Sequence, residues 1–334
     1  MTRRGVFKPI WNGYFEEGTP MKTAQASVIV SEAKQSPFSD CFVSAKVRWR
    51  ILAMTAFLLL PTPSSFAKPE VIQIKGSDTM VNLGQAWAEE FMKENPEVSI
   101  AVTGGGSGTG IAALINGTTN IAQSSRDMKA EEKAEVLKAT GKGVKEFLVG
   151  IDALAVVVHP GNPVSELSMD QLSDIFTRKI TRWNEVGGAD EPILVLSRER
   201  NSGTHVYFLE QVLRKGNAQG PEEFAPSVLM MPSSQAIVQE VSRSQTAIGY
   251  VGLGYVTKKL KPLQVRKTPE SPAVAPAIET AQNKTYPISR PLYIYTAGEP
   301  EGDEKRFINF VMSGEGQEIV RVMDFVPLQT TEDR

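Results

Sequence analysis

Residues Thr103–Gly110 read T-G-G-G-S-G-T-G, five glycines in eight positions with hydroxyls at Ser107 and Thr109. The chemistry such a stretch offers is the holding of an anion. Glycine lets a ligand approach the backbone closely. A helix that starts at such a turn aims free N–H groups, at the positive end of its dipole, toward negative charge. Two further stretches repeat the pattern. Gly76-Ser77-Asp78-Thr79 is one. Asn201-Ser202-Gly203-Thr204 is the other, with Arg198 just before it. A guanidinium suits an oxyanion because its fork grips two oxygens. Ser124-Ser125 stands at a further strand-to-helix junction. Hydrogen bonds with a charged partner contribute about 1.5–3 kcal/mol each, so roughly seven of them would hold an oxyanion tightly without a metal. Taken singly, each stretch has a plainer explanation: a flexible turn at the glycines, or a helix N-cap at Ser77, Asp78 or Thr79. It is the threefold recurrence that favours a site.

The elements around these turns must bring them together. Val71–Lys75 reads as a strand, and Leu83, Ala86-Trp87 and Glu90-Phe91 follow at helical spacing up to Pro96. Val98, Ile100 and Val102 alternate as in a strand before the glycine run, and Ile111–Ile115 is a short apolar helical pattern behind it. Asn120–Gln123 is a strand before Ser124-Ser125, and Ala130–Thr140 a charged helix. Lys145–Val149 and Ile151–Val158 read as two buried strands. Met169–Phe176 is a helix and Trp183 a core residue. Ile193–Leu196 is a strand leading to Arg198, and Val206, Leu209 and Leu213 mark the helix face after Thr204. Ala225–Met231, Ala247–Val251 and Leu292–Tyr295 are further strands. Residues 262–290, rich in proline and polar groups, read as a loop or edge region. Alternating strands and helices indicate α/β layers.

A length of 334 residues suffices for two modest domains, and 41% hydrophobic with 22% charged content is that of an ordinary globular protein. Lys46, Arg48 and Arg50 precede the uncharged apolar run Ile51–Leu60, which ends toward Ser65-Phe66-Ala67. That order predicts a secretory signal over 46–67, cleaved after Ala67, with 1–45 a non-native leader from a mis-assigned start. The lone Cys41 lies in the leader, so the mature chain has no thiol chemistry and no lipid-bearing cysteine. Eight of the 36 basic and four of the 38 acidic residues fall in the first 67, leaving a mature net charge of −6. This argues against nucleic acid or an anionic membrane as partner. The mature chain is expected to be periplasmic, monomeric and free of membrane insertion.

On Gly76–Thr79, Gly104–Ile111, Ile121–Arg126, Asp170–Gly188 and Arg198 with Ser202–Thr204, the chain resembles the phosphate-binding proteins of bacterial ABC importers. These belong to the type II periplasmic binding proteins. The resemblance implies an α/β fold of two lobes, a ligand cleft between them and two hinge crossovers. It implies binding of inorganic phosphate and its delivery to a membrane permease by lobe closure, with no catalysis, cofactor or metal. The family's phosphate contacts would fall on Thr79 in the turn opened by Ser77, on the Met80 N–H, and on Ser107, Arg198, Ser202, Gly203 and Thr204. Many members have an aspartate, acceptor of the ligand's own proton, where this chain has Ser125. Ser77 and Ser125 are counted among the expected contacts; Ser125 itself, Asp78 or Asp127 would then be the acceptor, and sulfate or molybdate becomes an alternative ligand. The expected lobes are 68–153 with 253–330, and 154–252, crossing near Ile151–Val158 and Ala247–Gly254.

Rival readings are weaker. Gly108–Ala113 fits the dinucleotide pattern G-x-G-x-x-A, but the chain is expected to be exported, and Asp127 lies past the strand rather than at its end. No Gly-Lys-Ser/Thr follows the glycines, which excludes a P-loop. A phosphate-ester hydrolase would have to use Ser202 with His205, although no nucleophile-elbow motif surrounds Ser107. A sensor role on the same fold is separated from import only by the partner.

Overall fold

A computed structural model describes residues 71–328. The expected leader, the signal and Cys41 lie outside the described residues. The chain begins with β1 (Val71–Gly76), a 3-10 turn at Asp78–Met80 and α1 (Val81–Glu94). α1 buries Leu83, Trp87 and Phe91, four residues apart on one face. Two similar units follow: β2 (Ser99–Thr103) with α2 (Ser107–Ile115), and β3 (Ile121–Ser124) with α3 (Ala130–Thr140). β1 pairs in parallel with both β2 and β3. Short polar turns therefore leave the carboxyl ends of three neighbouring strands side by side.

β4 (Val144–Val158) is one strand of 15 residues, not two. Gly150 does not end it, although the pairing shifts register by one residue between Leu148 and Gly150. The second half of the chain continues with β5 (Glu166–Ser168), α4 (Met169–Phe176) and β6 (Leu194–Arg198). Then come α5 (Gly203–Phe208), β7 (Leu229–Met231), α6 (Ser234–Arg243) and β8 (Ala247–Gly252). β9 (Lys261–Pro262), β10 (Gln264–Arg266) and α7 (Ile278–Gln282) occupy the stretch expected to be a loop. β11 (Ser289–Ala297), α8 (Gly302–Met312) and α9 (Gly314–Val322) close the fold. Only Leu229–Met231 of the strand expected from Ala225 onward is extended.

The main sheet runs β2-β1-β3-β11-β4-β8-β6-β7, with β9 also on β4. β4 pairs antiparallel with β11 over Val144–Ala153 and with β8 over Leu154–Val158. It thus belongs to both halves of the sheet. One core gathers Ile74, Leu83, Trp87, Ile121, Leu292, Phe307 and Val320. Another gathers Leu154, Phe176, Trp183, Phe208 and Ile248. Two α/β lobes sharing one sheet result, the architecture that the resemblance implies.

The stretch after Gly252 differs from expectation. Leu263, Val265, Ala281, Tyr286 and Ile288 are buried in the same core as Phe176 and Trp183. The cause lies in the pairing: β9 lies on the far end of β4 and β10 on β5. Residues 260–288 are packed with the 154–252 segment, and the chain returns to the first core only at the start of β11.

Candidate functional site

The carboxyl ends of β1, β2 and β3 present Ser77, Thr79, Ser107 and Ser125, all buried. Gly76 makes their approach possible: its φ is +146°, and a Cβ there would lie 2.0 Å from the Gln123 carbonyl oxygen. The Ser77 N–H accordingly donates to that carbonyl at 2.8 Å. Ser77 Oγ then donates to Ser125 Oγ at 2.9 Å. Ser107 Oγ lies 3.4 Å from Ser125 Oγ and accepts the Ser125 backbone N–H at 3.1 Å.

The start of α5 closes on these hydroxyls. A Cβ on Gly203 would stand 2.3 Å from Ser107 Oγ and 2.8 Å from Ser125 Oγ. The Gly108 N–H donates to the Asn201 carbonyl at 2.9 Å, and Asn201 Nδ2 donates to the Gly105 carbonyl at 2.9 Å. The glycines of the run therefore serve close contact with the second glycine turn, which is not the role they have in a dinucleotide fingerprint. Thr79 Oγ1 and Thr204 Oγ1 are 3.0 Å apart. Buried hydroxyls that satisfy one another in this way are donors an oxyanion can recruit by exchange of partners.

Arg198 ends β6 with its guanidinium buried. It donates to Asp78 Oδ2 at 2.5 Å, to Ser234 Oγ at 3.1 Å and to the carbonyls of Met231 and Pro232. Four of its five N–H donors are thus engaged and one remains. Asp78 joins this cation to the glycine run by accepting the Gly105 N–H at 3.1 Å. Tyr255 donates its hydroxyl to the Asp78 carbonyl, and burial raises that phenol above its ordinary value.

Of the residues expected at the site, Ser77, Thr79, Ser107, Ser125, Gly203 and Thr204 form one contiguous cluster, with Arg198 attached through Asp78. Ser202 is buried and caps α5, its Oγ accepting the Thr204 N–H at 3.2 Å. Met80 turns its side chain into the first core, and its N–H donates to the Ser77 carbonyl at 3.0 Å. Asp127 is exposed and takes no part in the cluster. Its carboxylate lies by Tyr293, helping burial to raise that phenol. Asp78 is the acidic group at the cluster's edge.

Two charged residues were not anticipated. Arg290 and Asp152 are fully buried and form an ion pair of 2.9 Å behind the hydroxyls. Burial pushes the Asp152 carboxyl up, and Arg290 opposes that rise. A signal was present: a single aspartate inside the otherwise apolar run Ile151–Val158 needs a partner of opposite charge, and an arginine precedes the apolar residues Leu292–Ile294.

His205 does not serve Ser202. Its Nδ1 lies 3.3 Å from Ser197 Oγ, and its ring stacks on Phe224 at 4.5 Å. Burial lowers its pKa from 6.5 to about 4. The unfolded chain therefore takes up a proton near pH 6.5 that the folded protein refuses until about pH 4. Stability is full above pH 6.5 and falls by about 3 kcal/mol on descending to pH 4. Urea midpoints of wild type and His205→Gln should converge over that interval. Parallel curves for the two proteins would remove His205 as the cause.

No group of His, Cys, Asp and Glu among the described residues could hold a metal ion. No helix among them is long and apolar enough to cross a membrane.

Comparison with known proteins identifies the family. A model of the PBP superfamily domain matches residues 63–315. The phosphate-binding protein PstS of Pseudomonas aeruginosa is 35% identical over 269 residues, 76% of this chain and 81% of that protein. The chain belongs to this family of binding proteins. Among solved family structures, a substrate-binding protein from Clostridium perfringens with bound phosphate superposes with a TM-score of 0.70. It is 34% identical, over 78% of this chain and all of that one. An ABC-type phosphate transport receptor from Vibrio cholerae superposes with a TM-score of 0.60 at 30% identity, over 77% of this chain and all of that one.

Proposed function

We propose that this chain binds inorganic phosphate outside the cytoplasm and hands it, in a closed form, to the permease of an ABC importer. The observation that carries the reading is the buried cluster of Ser77, Thr79, Ser107, Ser125 and Thr204 beside Gly203, drawn from both halves of the sheet. A tetrahedral anion placed there would exchange hydroxyl–hydroxyl bonds for hydroxyl–oxyanion bonds, which are roughly twice as strong. The PstS relatives and the phosphate-bound C. perfringens structure support phosphate as that anion.

The ligand bridges the two lobes and so favours the closed arrangement. We place the lobes at 71–153 with 289–328, and at 154–288, with crossings in β4 and at the start of β11. The mature protein acts as a periplasmic monomer after removal of its signal and performs no chemistry on its ligand. Ser125 favours a second reading for selectivity, in which sulfate competes because no free carboxylate repels it. Calorimetry of the purified protein should give strong, saturable heat with phosphate, comparable heat with arsenate, and measurable heat with sulfate. Absence of heat with phosphate, arsenate, sulfate and molybdate alike would end the oxyanion reading.

A further inference from the structure

We propose that Arg290 is a positioning residue of the anion site, a second guanidinium that sets the direction in which the threonine hydroxyls donate. The inference rests on the phosphate reading and adds to it a residue and a role. With one Nη2 hydrogen of Arg290 given to Asp152, the other is shared between Thr79 Oγ1 at 3.2 Å and Thr204 Oγ1 at 3.0 Å. Nη1 donates to the Ser125 carbonyl at 3.2 Å. One planar group therefore touches the first turn, the end of β3 and the start of α5.

A hydroxyl has one hydrogen to give. With a lone pair of each threonine facing a cation, neither can turn its hydrogen toward Arg290. The two oxygens are 3.0 Å apart, so one hydroxyl donates to the other. The remaining hydrogen must point away from the guanidinium, where a ligand can accept it. An oxyanion arriving there meets a donor already oriented, polarised by a positive charge behind it. Without the guanidinium the same hydroxyls could present lone pairs, which repel an anion.

Asp152 holds the orienting group and does not compete for the ligand. Its Oδ2 accepts from Arg290 Nε at 3.1 Å and Nη2 at 2.9 Å, and its Oδ1 accepts the Leu253 N–H at 3.1 Å. Tyr207 lies under the guanidinium, its ring centroid 5.6 Å from Cζ, and fixes the plane of the fork. The pair sits where β4 and β11 meet: Arg290 and Asp152 are register partners on the two strands. The positive end of this buried dipole is the end that faces the hydroxyls.

The test is phosphate affinity by calorimetry on the full-length protein, with melting curves for each variant. Arg290→Gln should lose about tenfold to a hundredfold in affinity. Arg290→Lys should recover part of that loss, because it restores the charge without the fork. The double change Asp152→Asn with Arg290→Gln leaves no unpaired buried ion, which protects the fold, and it too should bind more weakly than wild type. The proposal is overturned if a folded Arg290→Gln or the double variant binds like wild type. It is equally overturned if Arg290→Lys binds no better than Arg290→Gln, since a merely structural role would not track the charge. A wild-type protein that binds no tetrahedral oxyanion overturns the phosphate reading and this inference together. A wild type that binds beside an unaffected Arg290→Gln overturns the inference alone.

Discussion

Replacing Arg198 with alanine is expected to weaken phosphate binding by at least about a hundredfold. The guanidinium ends β6 among three fixed acceptors, the carbonyls of Met231 and Pro232 and the hydroxyl of Ser234. Its orientation is therefore set before any ligand arrives, and little side-chain entropy is lost on binding. Truncation removes a charge-assisted donor, and it also leaves the Asp78 carboxylate, now paired at 2.5 Å, without its cation. An unpaired acid beside the anion site repels the ligand, so the measured loss exceeds the value of the missing bond. Arg198→Ala with Asp78→Asn should consequently bind more tightly than Arg198→Ala alone. Titration by calorimetry gives both numbers. An Arg198→Ala protein with wild-type affinity would place the anion elsewhere.

The second large effect is expected at Gly203. A methyl group there would stand 2.3 Å from Ser107 Oγ, 2.8 Å from Ser125 Oγ and 2.9 Å from Ser107 Cβ. The serine oxygens could rotate away, but only by abandoning the cluster, and the Cβ contact would remain. Overpacking of this kind costs roughly 1–3 kcal/mol. The cost falls on the closed arrangement, because the contact joins α5 to the glycine run rather than to its own lobe. Alanine is moreover the better helix former inside a helix. Gly203→Ala should therefore keep or slightly raise thermal stability without ligand, while phosphate affinity falls roughly fivefold to a hundredfold. Melting curves with and without phosphate separate the two effects. A variant that loses stability in the absence of ligand but keeps its affinity would refute this account.

Much of the site could be read in the chain because hydroxyls and glycines at helix starts carry a local signature. Ser77, Thr79, Ser107, Gly203 and Thr204 stand where strand-turn-helix patterns put them. Arg198 was legible as a cation at the end of a strand. Met80 and Ser202 also have local duties that the sequence does not announce: one N–H closes a 3-10 turn, and one hydroxyl caps α5. Asp152 in its apolar run signals a buried cation, but that Arg290 is that cation is not legible, because their relation is cross-strand, over 138 residues, and pairing register has no local trace. The same reason hid the allegiance of residues 260–288. Their proline-rich composition resembles a surface loop, while Leu263, Tyr286 and Ile288 are held in a core whose other members lie far away in the chain.

The long strand β4 has a mechanical consequence. A passage between lobes that stays hydrogen-bonded on both sides, to β11 along one part and to β8 along the other, cannot swivel as a loose tether does. It can only twist, and twisting loads every rung of the ladder a little. Such a joint is a torsion spring rather than a free pivot.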